Sequence, residues 1–119
     1  VVKLYNIAVG FYQRNEYEKA ARSFGLVADH VADPDDDLWR DAMYNRALAL
    51  KEAKKFEDAL AVALKLVEVN GEEADYHSLA SGVYLQMKNL PKASEHAERA
   101  ETLKNAKVEG AEGAEAVAP

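Results

Sequence analysis

Residues 4–24 read LYNIAVGFYQRNEYEKAARSF. Apolar side chains at Leu4, Ile7, Ala8 and Phe11 fall three or four apart, the spacing that gathers them on one face of an α-helix. The polar break Gln13-Arg14-Asn15-Glu16 interrupts the pattern, and a second stripe follows at Tyr17, Ala20, Phe24 and Val27. Two short amphipathic helices joined by a tight turn are therefore expected. Neither stripe is wide enough to form a core alone, so each helix must bury its face against its partner and against whatever follows.

The pattern recurs downstream. Tyr17-Glu18-Lys19-Ala20 aligns with Phe56-Glu57-Asp58-Ala59 and with Leu90-Pro91-Lys92-Ala93, at offsets of 39 and then 34 residues. The stripe Leu4, Ile7, Ala8, Phe11 becomes Met43, Arg46, Ala47, Leu50 and then His77, Ala80, Ser81, Tyr84. In the second helix of each unit the corresponding positions are Ala20 and Phe24, Ala59 and Ala63, and Ala93 and Ala97. Small residues at Ala8 and Ala20, at Ala47 and Ala59, and at Ser81 and Ala93 would let the two helices of a hairpin cross closely, with an aromatic or aliphatic group filling the adjacent hole.

A period of 34 residues with this spacing resembles the tetratricopeptide repeat family, a helix-turn-helix unit. The resemblance covers residues 1 to about 107, with units at about 1–34, 40–73 and 74–107, and residues 108–119 as a flexible tail. It implies an all-α solenoid of helical hairpins wound into a right-handed superhelix. The chain departs from the family in having Arg46 at an apolar position, no closing proline at Ala32, Gly71 or Asn105, and five extra residues between the first two units. Those five lie around Asp33-Pro34-Asp35-Asp36-Asp37, where Pro34 ends the helix reaching Val31 and Asp37 is expected to cap the helix opening at Leu38-Trp39. A calcium loop would need glycine and glutamate at its sixth and twelfth places, where this chain has Leu38 and Tyr44, so a capped acidic loop is expected instead. Trp39 is expected to pack on the preceding helix. The third unit follows Asn70-Gly71, with helices expected from about Glu73 to Met87 and from Leu90 to Leu103.

In this family the first helix of each unit lines a concave wall. The resemblance places Val2, Tyr5, Val9, Tyr12 and Gln13 there from the first unit, Asp41, Tyr44, Leu48, Lys51 and Glu52 from the second, and Asp75, Ser78, Gly82, Leu85 and Gln86 from the third. Tyr5, Val9, Tyr12, Tyr44 and Leu48 would form an apolar and phenolic strip on a surface that is ordinarily wet, which suits capture of a peptide or helical segment of another protein. Tyr5→Ala or Tyr44→Ala is expected to weaken such capture and leave the fold intact. The family's carboxylate clamp for chaperone C-termini would place its donors at Tyr5, Val9, Asn45, Asp75 and Leu79; only Asn45 matches, and no cation is there to pair a carboxylate.

Composition points the same way. A net charge of −6 disfavours nucleic acid and anionic membrane surfaces, and no apolar run reaches the about 18 residues of a membrane span. There is no cysteine, hence no thiolate nucleophile and no cysteine metal site. Ser23, Ser78, Ser81 and Ser94 lack a nucleophile elbow, and His30, His77 and His96 are dispersed over three helices, with Glu73 and His77 reading as a solvated pair rather than metal ligands. A non-catalytic adaptor or chaperone-like module without cofactor is expected, in the cytoplasm, or in the periplasm or tethered to a membrane if a targeting segment has been removed. Self-association through the lean terminal helix, giving a scaffold, and a regulatory portion of a larger protein are the alternative readings.

Overall fold

A computed structural model describes the backbone of residues 1–117 and the side chains of residues 1–108. Six helices follow one another: α1 (Val2–Gln13), α2 (Tyr17–Val31), α3 (Asp37–Glu52), α4 (Phe56–Val69), α5 (Ala74–Gln86) and α6 (Leu90–Val117), with no strand among the described residues. The fold is all-α. Each helix packs on the next in the chain, and α3 also touches α5.

The three hairpin turns share one geometry. Asn15, Lys54 and Lys88 each adopt a left-handed backbone, with φ of 63°, 63° and 61°. Around them the same pair of bonds recurs: the amides of Asn15, Lys54 and Lys88 donate to Tyr12, Lys51 and Leu85, and those of Glu16, Lys55 and Asn89 donate to Phe11, Leu50 and Tyr84. These turn residues stand 39 and 34 positions apart, the offsets found in the sequence. Such turns satisfy the last carbonyls of the first helix while reversing the chain.

Small residues mark the helix crossings. Ala8, Ala20, Ala47, Ala59 and Ala63 are wholly buried, and the Ser81 hydroxyl donates to the Ala93 carbonyl at 2.7 Å where α5 meets α6. Phe24, Val27, Leu66 and Val83 fill the spaces between, and Trp39 is buried among them. Arg46 lies on α2 instead of in the core: a Cβ built on Gly25 would meet its guanidinium at 3.3 Å. The missing side chain at Gly25 makes room for the cation that breaks the apolar pattern.

Several expectations need correction. Ile7 is 52% exposed, because none of the described helices covers that side of α1. The α3 cap is Asp36 rather than Asp37: its carboxylate accepts from the Leu38 amide at 2.8 Å, while Asp33 accepts from the Asp35 amide at 3.0 Å. Ala97 is exposed, and α6 instead turns Ala93, His96, Ala100 and Leu103 inward. Helix α6 also does not stop at Leu103 but continues to Val117. The flexibility expected of residues 108–119 lies, beyond Val108, outside the described side chains.

The length of α6 has a measurable consequence. At about 1.5 Å per residue, α5 is much shorter than α6, and antiparallel pairing of Ser81 with Ala93 and His77 with His96 exhausts α5 by about Ala100. An unsupported helix is marginal in water. Amide exchange at Lys104–Val108 is therefore expected to be at least about a hundredfold faster than at Phe24. Equal protection would show that α6 has support which α5 does not give.

Candidate functional site

Three contacts link α1, α3 and α5, the helices expected to line a wall. The Asn45 amide donates to the Tyr5 hydroxyl at 2.8 Å, joining α3 to α1. The Tyr44 and Tyr76 rings lie 6.2 Å apart, joining α3 to α5. Farther along the same pair of helices, the Lys51 ammonium lies over Gly82.

The residues expected on this wall divide into two groups. Tyr5, Val9, Tyr12, Tyr44, Leu48, Lys51 and Gly82 are half-buried, whereas Val2, Gln13, Asp41, Glu52, Asp75, Ser78, Leu85 and Gln86 are exposed. The phenols are anchored by their edges. Tyr5 meets Phe24 edge-on at 5.4 Å, and Tyr12 meets Tyr17 at 5.3 Å. This anchoring changes the expectation for Tyr5→Ala, since losing the ring would open space over Phe24 and strand the Asn45 amide. Tyr44, tilted against Tyr76 at 6.2 Å, is the better probe.

Between α3 and α5 the surface sinks into a cleft of about 320 Å³ lined by Arg40, Asp41, Tyr44, Glu73, Asp75 and Tyr76. Tyr76 and Glu73 are absent from the wall read from the sequence. Tyr76 is buried at its ring, and one turn of α5 brings it beside Tyr44.

Charge on the wall is predominantly negative. Burial is the largest influence raising the hydroxyl pKa of Tyr5, Tyr12, Tyr44 and Tyr76, and nearby carboxylates add to it: Asp41 at Tyr5, Glu52 at Tyr12, Asp75 and Glu73 at Tyr44, and all but Glu52 at Tyr76, where Arg40 opposes them. The four phenols therefore keep their protons at neutral pH and can donate hydrogen bonds.

The histidines are not all dispersed. His77 and His96, on facing sides of α5 and α6, bring their Nδ1 atoms within 3.0 Å, and the rings of His77, His96 and Tyr84 stack in a row. The Gly71 carbonyl, 2.9 Å from His77 Nε2, can only accept, so Nε2 carries a hydrogen. In the neutral pair His77 Nδ1 then accepts from His96 Nδ1–H. His77 is buried rather than solvated with Glu73, and the alignment held a signal for this: it occupies the inward place of Leu4 and Met43. The pair ties the hairpin together.

No group of three or more His, Cys, Asp or Glu arranged for a metal occurs among the described residues, and none of their helices is long and apolar enough to cross a membrane. A scan against protein-family models and a search of curated proteins both return no match.

Proposed function

We propose that the chain is a non-catalytic interaction module of tetratricopeptide type that captures a segment of another protein on the wall of α1, α3 and α5. The observation that carries this reading is the row of half-buried phenols, Tyr5, Tyr12 and Tyr44, each packed against one further aromatic ring. Rings fixed in this way have already lost their rotamer freedom, so a ligand gains contact area at little entropic cost. The repeated left-handed turns at Asn15, Lys54 and Lys88 support the repeat assignment, and the cleft beside Tyr44 supplies a recess for an anchoring side chain.

Panning a random 15-residue display library against the protein tests the reading. Selected peptides are expected to shift the amide resonances of α1, α3 and α5, and Tyr44→Ala is expected to weaken them by about 1–3 kcal/mol with the fold retained. Peptides that perturb only α2, α4 or α6, or that bind the Tyr44→Ala protein as tightly as the parent, would overturn it.

The second reading, a self-associating scaffold in which copies stack end to end, is favoured by α6 packing chiefly on α5 and leaving Ala97 and Leu90 exposed. Sedimentation separates the two. Concentration-dependent dimers abolished by Ala97→Glu would favour the scaffold.

A further inference from the structure

The molecule has seven ion pairs among its described residues: Arg14–Glu16, Lys19–Glu16, Arg40–Asp37, Lys55–Glu18, Lys65–Glu68, Lys92–Glu95 and Arg99–Glu72. None of them uses Asp41, Glu52, Glu73 or Asp75, the four carboxylates beside the wall tyrosines. Neither of the two cations nearby forms an ion pair with them, although Arg40 lines the same cleft as Asp41, Glu73 and Asp75. Arg40 is turned toward the Pro34 carbonyl and Asp37, and the Lys51 ammonium lies over Gly82. Four carboxylates outside all of these ion pairs thus flank a strip of phenol rings and aliphatic side chains.

We propose that the segment captured on this wall is cationic, carrying Lys or Arg side chains whose stems lie over Tyr5 and Tyr44 and whose charged ends reach Asp41, Glu52, Glu73 and Asp75. This rests on the capture reading above and names the chemistry of its partner. Lys and Arg suit the surface on two counts. Their aliphatic stems cover apolar rings while their heads remain at carboxylates in water, and a cation near a phenol face gains further from the ring. An acidic segment would face the same four charges as repulsion.

The geometry also sets a spacing. Asp41 and Glu52 are eleven residues apart on α3, which at 1.5 Å per residue is about 16 Å. An extended ligand rising about 3.3 Å per residue would span that distance with cations about five residues apart.

The test uses three capped 15-residue peptides, each five repeats of X-Leu-Ala with X as Lys, Gln or Glu, titrated into the whole protein and followed by amide resonances. The Lys peptide is expected to perturb α1, α3 and α5 and to bind at least about tenfold more tightly than the Gln peptide at low salt, an advantage largely lost in 0.5 M NaCl. Asp41→Asn, Glu73→Gln and Asp75→Asn together are expected to weaken the Lys peptide about tenfold, whereas Glu57→Gln with Asp58→Asn on α4 leaves it unchanged. Equal weakening by the α4 pair, or wall binding by the Gln peptide as strong as by the Lys peptide, would overturn the cationic assignment and leave capture standing. If none of these peptides, nor any selected from the library, perturbed the wall, both would fall.

Discussion

Phe24→Ala is expected to lower the free energy of unfolding by about 3–5 kcal/mol. Phe24 is the largest side chain buried almost completely, at 1% exposure, and it sits where α1, α2 and α3 meet, with the Tyr5 ring against its face. Truncation removes the transfer gain of the ring and leaves a cavity that backbones held by Ala8, Ala20 and Ala47 have little freedom to close. A small domain has only about 5–15 kcal/mol of net stability, so this loss is a large share of the total. Urea melts followed by circular dichroism decide the matter, with Leu26→Ala, 53% exposed on the same helix, as the control expected to change stability by less than about 0.5 kcal/mol. A loss below about 1 kcal/mol for Phe24→Ala would mean that the junction of the first two hairpins is not the core of the fold.

Acidification should loosen the last hairpin before the others. Burial, then the neighbouring His77, holds the pKa of His96 below its ordinary 6.5; Lys92 lowers it further and Glu95 opposes. The sign follows from which state takes protons first. Above about pH 6.5 His96 is neutral both folded and unfolded and contributes no pH dependence. As pH falls through that value the unfolded chain binds the proton more readily, so stability is lost progressively until the folded-state pKa has also been passed. Geometry adds a second constraint: the neutral pair already holds one hydrogen between its Nδ1 atoms, so an added proton goes to His96 Nε2, and one placed on His77 Nδ1 instead would set N–H against N–H at 3.0 Å. Exchange of α5 and α6 amides is expected to accelerate between pH 7 and pH 5, at constant intrinsic rate, while α1 and α2 change little. His96→Phe, which keeps a ring for stacking on Tyr84, should remove most of this dependence. Acid loosening spread evenly over all six helices would assign the effect to the carboxylates instead.

The crossings were legible because they require particular residues: Ala8, Ala20, Ala47 and Ala59 stand where two backbones approach, and a larger side chain at any of them would clash. The all-α fold and the three turns followed from the same periodicity. Ile7 was misplaced because a stripe shows which side of a helix is apolar, not whether a neighbour exists to cover it. The His77–His96 contact depends on the rotation of α6 about its axis. With alanine at 93, 97 and 100, the sequence offered nothing large to set that rotation, and His96 itself sets it by stacking between His77 and Tyr84. The end of α6 was missed for another reason. Absence of an apolar stripe indicates that a segment buries little, whereas its alanines, glutamates and lysines decide whether it is helical. On the wall, Tyr5 and Tyr44 could be read by register, but Tyr76 could not, since its closeness to Tyr44 comes from the angle between α3 and α5.

The seating of Arg46 on Gly25 has a genetic corollary. A methyl group at position 25 forces the guanidinium to shift by a few tenths of an ångström, whereas the same methyl beside a shorter residue at 46 would fill a gap. Whether alanine at 25 is harmful or beneficial thus depends on what occupies 46, a case of sign epistasis, and variants descending from this chain would be expected to alter the two sites together.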